Sequence, residues 1–462
     1  MTPQKDDILV KGGVLVDSKQ MKLGDVRIRG GRVAGIAPPG SAGEADTVID
    51  ATGKLVLPGI VEAHLHPVYA DRFETLSRSA AFGGVTTLIP YIGAVKAWGV
   101  EGNLWDAVNF FIEEGERDSC VDFSLHCSLM HDDVADLESL IPRIVARGVM
   151  SFKGFMAYQK RGMFLGDEEI LRILAALKEH GGLFCVHAEN GALCDYLEDG
   201  FIARGDVGPE FYGPSRPNIA ETEAIFRILS FARALDCPVY VVHISARESL
   251  DVVELFRNWG GAPIFAETCS HYLTLTDQAM HELGTLAKVS PPLREDADVD
   301  ALWQAIRDER IDVVGADTAG HMIETKEPRW GDVFAAASGL PGQGTMFTVT
   351  YDEGVNKRGV SLCRLVEVMA EKPAKIFGLY PRKGVLQEGS DADLVVFDPT
   401  REHTIRAEDQ QTKTDYTMYE GRRCLGAPDL VMQRGEILLE NGELKARKGR
   451  GQFLEATPMK TD

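Results

Sequence analysis

Six residues of metal-ligating type sit at the ends of strand-like runs scattered over more than half of the chain. They are His64 and His66 in Leu57-Pro58-Gly59-Ile60-Val61-Glu62-Ala63-His64-Leu65-His66, Lys153 in Ser151-Phe152-Lys153-Gly154-Phe155-Met156, His187 in Cys185-Val186-His187-Ala188-Glu189-Asn190, His243 in Val241-Val242-His243-Ile244-Ser245, and Asp317 in Val314-Gly315-Ala316-Asp317. Tyr158 makes a seventh, read as a hydroxyl that polarises a substrate rather than as a ligand. In a strand, residues i and i+2 share a face, so His64 and His66 can grip one ion together. Imidazoles and carboxylates suit borderline-to-hard divalent ions such as zinc. A single His-x-His pair is more often incidental than not, and strand-end histidines commonly only hydrogen-bond. Repetition changes that weighting, because one segment after another delivers a ligand type at the same end. The residues therefore predict a metal-dependent hydrolase.

Lys153 is the most telling of them. A lysine flanked by Phe152 and Phe155 is costly to bury as an ammonium and needs a partner or a lowered pKa. A neutral amine there can take up carbon dioxide as a carbamate, whose two oxygens can bridge two ions. The alternative is a core lysine paired with Asp317 or Glu189.

Polar ligands that follow apolar runs imply an α/β barrel, which keeps its active site at the carboxyl ends of its strands. Strands alternate with helical patterns such as Asp167 to His180 and Ala220 to Leu235, the signature of parallel α/β architecture. Gly84 to Tyr91 and Val121 to Cys127 supply strands two and three. Lys153 ends the fourth, His187 the fifth, His243 the sixth and Asp317 the eighth, while Ile264 to Thr268 fills the seventh place without an evident ligand. The expected fold is a (β/α)8 TIM-type barrel over residues 58–384. A β-sandwich is expected from both chain ends, 1–57 and 385–462, with Gly12-Gly13 and Gly30-Gly31 as its turns. The tail from Glu443 is polar and basic and is expected to form an extended arm.

At 462 residues the chain can hold one barrel of about 250 residues and a smaller module. A net charge of −21 argues against nucleic-acid and anionic-membrane partners. No apolar run approaches the ~20 residues of a membrane span, and polar Met1 to Asp7 is read as no leader. Eight dispersed cysteines without a Cys-x-x-Cys pair fit reduced thiols and a cytoplasmic location.

The combined motifs resemble the cyclic amidohydrolases, the group of hydantoinases and dihydropyrimidinases with their relatives dihydroorotase and allantoinase. The resemblance runs from Pro58-Gly59 and His64-Leu65-His66 through Ser151 to Tyr158, Val186 to Asn190, Val242 to Ser245 and Val289-Ser290-Pro291-Pro292-Leu293-Arg294. It ends with Pro373 to Leu379, Gly389 to Leu394 and Tyr419-Glu420-Gly421. It implies two divalent ions, zinc by ligand type. One is held by His64, His66, N-carboxylated Lys153 and Asp317, the other by Lys153, His187 and His243. Asp317 is the implied base and then acid, and Tyr158 the implied oxyanion donor. Ser290 and the backbone near Gly342 and Gln343 are implied to bind the ring amides, in a homotetramer acting on a small cyclic amide.

Other segments depart from the family patterns. Val68 replaces the arginine of dihydroorotases, and Pro67-Val68-Tyr69-Ala70 replaces the Asn-Glu-Pro-Gly of allantoinases. Thr318-Ala319-Gly320-His321 replaces the His-Cys-Pro of many hydantoinases, and Gln343-Gly344 their Asn-Gly. His321 is read as a loop histidine, with replacement of the missing one as the alternative. By resemblance, the ring substituent should meet Leu65, Val68 and Tyr69, Tyr91 to Lys96, and Tyr158 to Phe164. These are mostly apolar and favour an uncharged or aromatic substituent, with Lys160 or Arg161 as a rival partner for a carboxylate. Competing functions are an allantoinase- or dihydroorotase-like ring hydrolase, a lactam or imide hydrolase, a deaminase and a non-catalytic assembly protein. Deaminases of this superfamily usually lack the strand-four lysine, and the non-catalytic relatives tend to lose the metal ligands.

Overall fold

The computed structural model describes residues 7–458. Strands from the two chain ends join one nine-stranded sheet. Leu394–Thr404 pairs antiparallel with Leu55–Pro58 at its seam, flanked by Arg423–Gln433 on one side and Ile8–Val16 on the other. The two glycine pairs differ. Gly30 and Gly31, at φ 58° and 77°, turn the chain between Met21–Arg29 and Arg32–Ala37 as expected. Gly12 and Gly13 instead lie inside one strand, where the register shifts between Val10 and Gly13. A Cβ on Gly13 would lie 2.5 Å from a Val56 methyl, so this pair permits close approach at a bulge, not a turn.

The middle of the chain builds parallel sheets. Seven strands run in the order Val313–Gly315, Ile264–Cys269, Val239–Val241, Leu183–His187, Ser151–Phe155, His126–Ser128 and Tyr91–Ile92. Ile60–Glu62, Val85–Leu88 and Asp122–Phe123 form a further three-stranded sheet. Backbone bonds join the first and last of these parallel segments: His66 N–H donates to Thr318 O at 2.9 Å and Thr318 N–H to His64 O at 3.2 Å. Alternation sorts the side chains. Phe184, Val186, Val239 and Val241 pack into the large outer core, whereas Leu183, Cys185 and Tyr240 pack with Phe377 and Leu379 in a second cluster. The period of two puts Lys153, between Phe152 and Gly154, on the same side as Cys185, its partner in register.

The helix expected over Asp167 to His180 is present with those bounds. Asp167, Glu168 and Glu169 favour its positive N-terminus, and Gly181 in the left-handed conformation ends it. All eight cysteines are free, and only Cys363 is not buried. No helix among the described residues is long and apolar enough to cross a membrane.

The C-terminal tail corrects one expectation. It lies against its own chain instead of extending away. Leu454 is buried, its N–H donates to Phe123 O at 2.7 Å, and Phe123 N–H donates to Gln452 O at 3.0 Å. Ala456 N–H reaches Gly148 O and Thr457 N–H reaches Gly378 O.

Candidate functional site

The strand ends bring the histidines, the lysine and the aspartate to one place. His64 Nε2 lies 3.0 Å and His66 Nε2 3.3 Å from Asp317 Oδ1. Lys153 Nζ lies 3.1 Å from His64 Nε2, and His187 Nδ1 faces His243 Nε2 at 2.8 Å. All are buried except His66, which is half-buried. His64, His66 and Asp317 offer ligand atoms within 4.8 Å of one another, a nitrogen and oxygen set suited to a divalent ion.

The rings are oriented from behind. Glu267 Oε1 meets His64 Nδ1 at 2.5 Å and accepts from His243 N–H at 2.9 Å, while Tyr240 donates to Oε2 at 2.7 Å. The carboxylate at Nδ1 turns the His64 ring so that Nε2 faces the cluster. Glu189 Oε2 lies 2.8 Å from His187 Nε2 and accepts from Arg216 at 2.5 Å, which leaves His187 Nδ1 free to ligate. Seventh-strand Glu267 and the Glu189–Arg216 pair escaped sequence reasoning as supports. Their value lies in contacts across tens of residues, although the Glu189 carboxylate two residues beyond His187 was a readable signal.

Electrostatics follow from burial and these partners. Burial works against the His64 imidazolium, but Glu267 and Asp317 outweigh it and hold the ring up at about 9. Burial brings His66 down to about 4 and lowers His187 and His243, which keeps those rings neutral. Asp317 is held far below the carboxylate range by His64, His66 and His243 against the opposing effect of burial. Burial lowers the Lys153 amine, whose Nζ sits 4.3 Å from the centroid of the Tyr91 ring. Among the described residues Lys153 has no carboxylate within ion-pair distance: Asp317 pairs with the histidines and Glu189 with Arg216. The salt-bridged core lysine is therefore not what this structure holds. Tyr158, His243 and Asp317 have φ values of 72°, 41° and 46°, strained for L-residues at about 1–3 kcal/mol each, a cost that clusters at functional sites.

The residues 146–438 match the amidohydrolase family model. A D-hydantoinase of Streptomyces coelicolor is 36% identical to this chain, covering 96% of it and 97% of the relative. An L-hydantoinase of Paenarthrobacter aurescens is 34% identical over 97% and 98%. The chain belongs to the amidohydrolase family. The crystal structure of a dihydropyrimidinase from Brevibacillus agri superposes on it with a TM-score of 0.92 at 31% identity, covering 99% of this chain and 100% of that one. That of an L-hydantoinase (dihydropyrimidinase) from Arthrobacter aurescens gives 0.91 at 34% identity, covering 97% and 99%. The parallel strands of this amidohydrolase thus follow the architecture of those structures.

One cavity opens onto the cluster. It is lined by His66, Lys153, His187, His243 and Asp317, and by Tyr69, Tyr158 and Ser290 from the expected substrate side. Trp98, Met163, Ser338 and Gly339 also line it, and none of these four was singled out individually. Leu65 is buried in the bridge to Thr318 and does not line the cavity. Gln343 is elsewhere as well, with its amide 3.4 Å from Leu76 O and its side chain in a separate pocket beside Ser79 and Thr412. Ser338 lines the cavity with its hydroxyl 3.0 Å from that of Ser290. Val68 is buried, and Tyr91 lies packed against Lys153, so Trp98 is the post-strand-two side chain that reaches the cavity. His321 packs on Tyr69 and meets Ser338 O at 3.1 Å, outside the lining.

Proposed function

We propose that this amidohydrolase opens a ring amide bond of a small cyclic ureide or imide, as the names of its hydantoinase and dihydropyrimidinase relatives suggest. The observation that carries the reading is a buried amine, Lys153, without a carboxylate partner, between His64–His66–Asp317 and the facing nitrogens of His187 and His243. His64, His66, Asp317 and N-carboxylated Lys153 would hold one zinc ion, and Lys153, His187 and His243 a second. Bound there, the ions would lower the pKa of water and polarise the ring carbonyl. Asp317 is deprotonated and can take the proton from the attacking water. As the carbon–oxygen bond forms and the carbon–nitrogen bond breaks, Asp317 returns that proton to the leaving nitrogen. Burial raises the Tyr158 phenol, so it stays protonated and donates to the oxygen on which charge develops. Ser290, with Ser338 beside it, orients the ring amide.

The same reading gives a closed eight-strand barrel over residues 58–384, a module from 1–57 and 385–462, a cytoplasmic homotetramer and no nucleic-acid or membrane partner. Turnover of 5-substituted hydantoins or dihydrouracil by the zinc-loaded protein, with two ions per chain, is the expected outcome. Preference for allantoin or dihydroorotate would move the assignment to those ring hydrolases. One ion per chain, with Lys153→Ala still active, would overturn it. Light scattering that gives a monomer mass would remove the tetramer.

A further inference from the structure

Two cations of the loop after Ser151–Phe155 have different fates. Lys160 Nζ is taken by Glu198 at 2.9 Å and Asp199 at 2.6 Å. Arg161, the next residue, lines the cavity. Among the described residues no carboxylate lies within 4.0 Å of its guanidinium. Its position is set by the backbone. Tyr158 and Gly162, at φ 72° and 69°, bracket the turn Gln159–Arg161, and Arg161 N–H donates to Tyr158 O at 3.0 Å. The Arg161 guanidinium lies 5.1 Å and that of Arg216 5.6 Å from the centroid of the Tyr158 ring. Glu189 neutralises Arg216, whereas among the described residues no carboxylate pairs with Arg161.

A buried lysine lies within electrostatic reach of this charge. Buried Lys288 donates to Val333 O and Ala336 O, both at 2.6 Å. Burial, then Arg161 and Arg216, bring Lys288 down to about 7, which places these cations within electrostatic reach of one another. Among the described residues Asp317 is the only carboxylate in the lining, and the histidines already engage it. In a chain of net charge −21 the lining thus carries the Arg161 guanidinium, and Tyr69, Trp98 and Met163 line the same cavity.

Resting on the ring-opening reading above, we propose that Arg161 is an anion subsite. The preferred substrates are cyclic ureides or imides whose side chain ends in a carboxylate, over neutral isosteres. This reverses the preference for an uncharged substituent that the loop sequences suggest. Apolar loop residues favour the stem of such a side chain, and an unpartnered guanidinium favours a charged end.

The test compares 5-(2-carboxyethyl)hydantoin with isosteric 5-(2-carbamoylethyl)hydantoin, using zinc-loaded wild type, Arg161→Met and Arg161→Lys. The acid-to-amide ratio of kcat/KM is expected to be about tenfold in the wild type. It should fall to about one in Arg161→Met through KM, recover partly in Arg161→Lys and shrink in high salt. A wild-type ratio of one or less, or a ratio unchanged by Arg161→Met, overturns the subsite. Calorimetric titration of the metal-free protein with N-carbamoylglutamate and N-carbamoylglutamine separates the two readings. Tighter binding of the diacid that is lost in Arg161→Met, without turnover of either ring, sinks the ring-opening function and keeps the subsite. Turnover of both rings without a charge preference does the reverse. Neither turnover nor Arg161-dependent binding sinks both.

Discussion

At the scale of single residues, the site depends on carboxylates that orient its rings. Glu267 is fully buried and its two oxygens serve His64, the His243 backbone and Tyr240. Glu267→Gln keeps the shape but replaces the carboxylate charge beside the His64 N–H with a neutral amide. Metal affinity is expected to fall about 10- to 100-fold, read by competition with a chromophoric chelator; unchanged affinity would show that His64 needs no orienting anion. Lys153→Ala tests the centre of the cluster more directly. On the proposed two-ion reading it should bring the metal content to one ion per chain or none and abolish ring opening, measured by elemental analysis beside turnover. The ligand-type residues were legible because histidine, lysine and aspartate at repeated strand ends are rare by chance. Glu267 was not, because one carboxylate among many carries no signal until the fold sets it beside a ring 203 positions away.

At the scale of elements, the join between the end-built sheet and the parallel strands turns on Lys383. Its Nζ lies 2.6 Å from Asp122, 2.7 Å from Asp393 and 3.1 Å from Asp391, with its side chain fully buried. Asp122 belongs to a short parallel strand, whereas Asp393 immediately precedes Leu394–Thr404. Removing the cation leaves carboxylates uncompensated in the interior, so Lys383→Met is expected to cost about 3–5 kcal/mol in denaturant unfolding. A loss below ~1 kcal/mol would mean that Arg382 and Arg434 suffice. The pH dependence has a definite sign. Although burial opposes it, the three aspartates raise Lys383 above its ordinary 10.5, so its contribution is complete below that pH and is lost as pH climbs through the folded value. Lys383 and Arg382 depress Asp391 below its ordinary 3.8 against the effect of burial, so its contribution holds above that pH and fades on acidification. Asp393 has the opposite sign, because burial, with Asp122 close by, raises it despite Lys383. On the acid side Asp391 and Asp393 oppose each other, so the limb that belongs to Lys383 is the alkaline one: the join should weaken as pH rises above about 10.5, and Lys383→Met should remove that alkaline loss from the stability profile. Strand alternation and the Asp167–His180 helix were readable from local periodicity and capping. The Gly12-Gly13 bulge was not, since turn and bulge share glycine and only the neighbouring Val56 tells them apart.

At the scale of the whole molecule, the tail shows how a long-range contact can hide in a polar sequence. Between Glu443 and Thr457 only a few apolar side chains stand among charges, a texture that reads as an arm. Folded, Leu454 enters the cluster that contains Tyr240 and Phe377. Phe453 packs tilted against Phe123 at 5.9 Å between ring centroids, and Lys448 pairs with Glu74 and Asp118. Local pattern could not show this, because the surface that receives the tail is gathered from distant segments, among them Phe123, Gly148, Tyr240 and Gly378. Deleting residues 451–462 removes one buried leucine, worth about 2–3 kcal/mol, and the backbone bonds to Phe123. At about 2.1 cal/mol/K per residue of unfolding entropy, a loss of ~3 kcal/mol lowers Tm by about 3 °C in a chain of 462 residues. If the tail serves its own chain, light scattering should give the truncated protein the same mass as the full chain, with a lower Tm. A reduced mass at unchanged Tm would show instead that these residues hold a neighbouring copy.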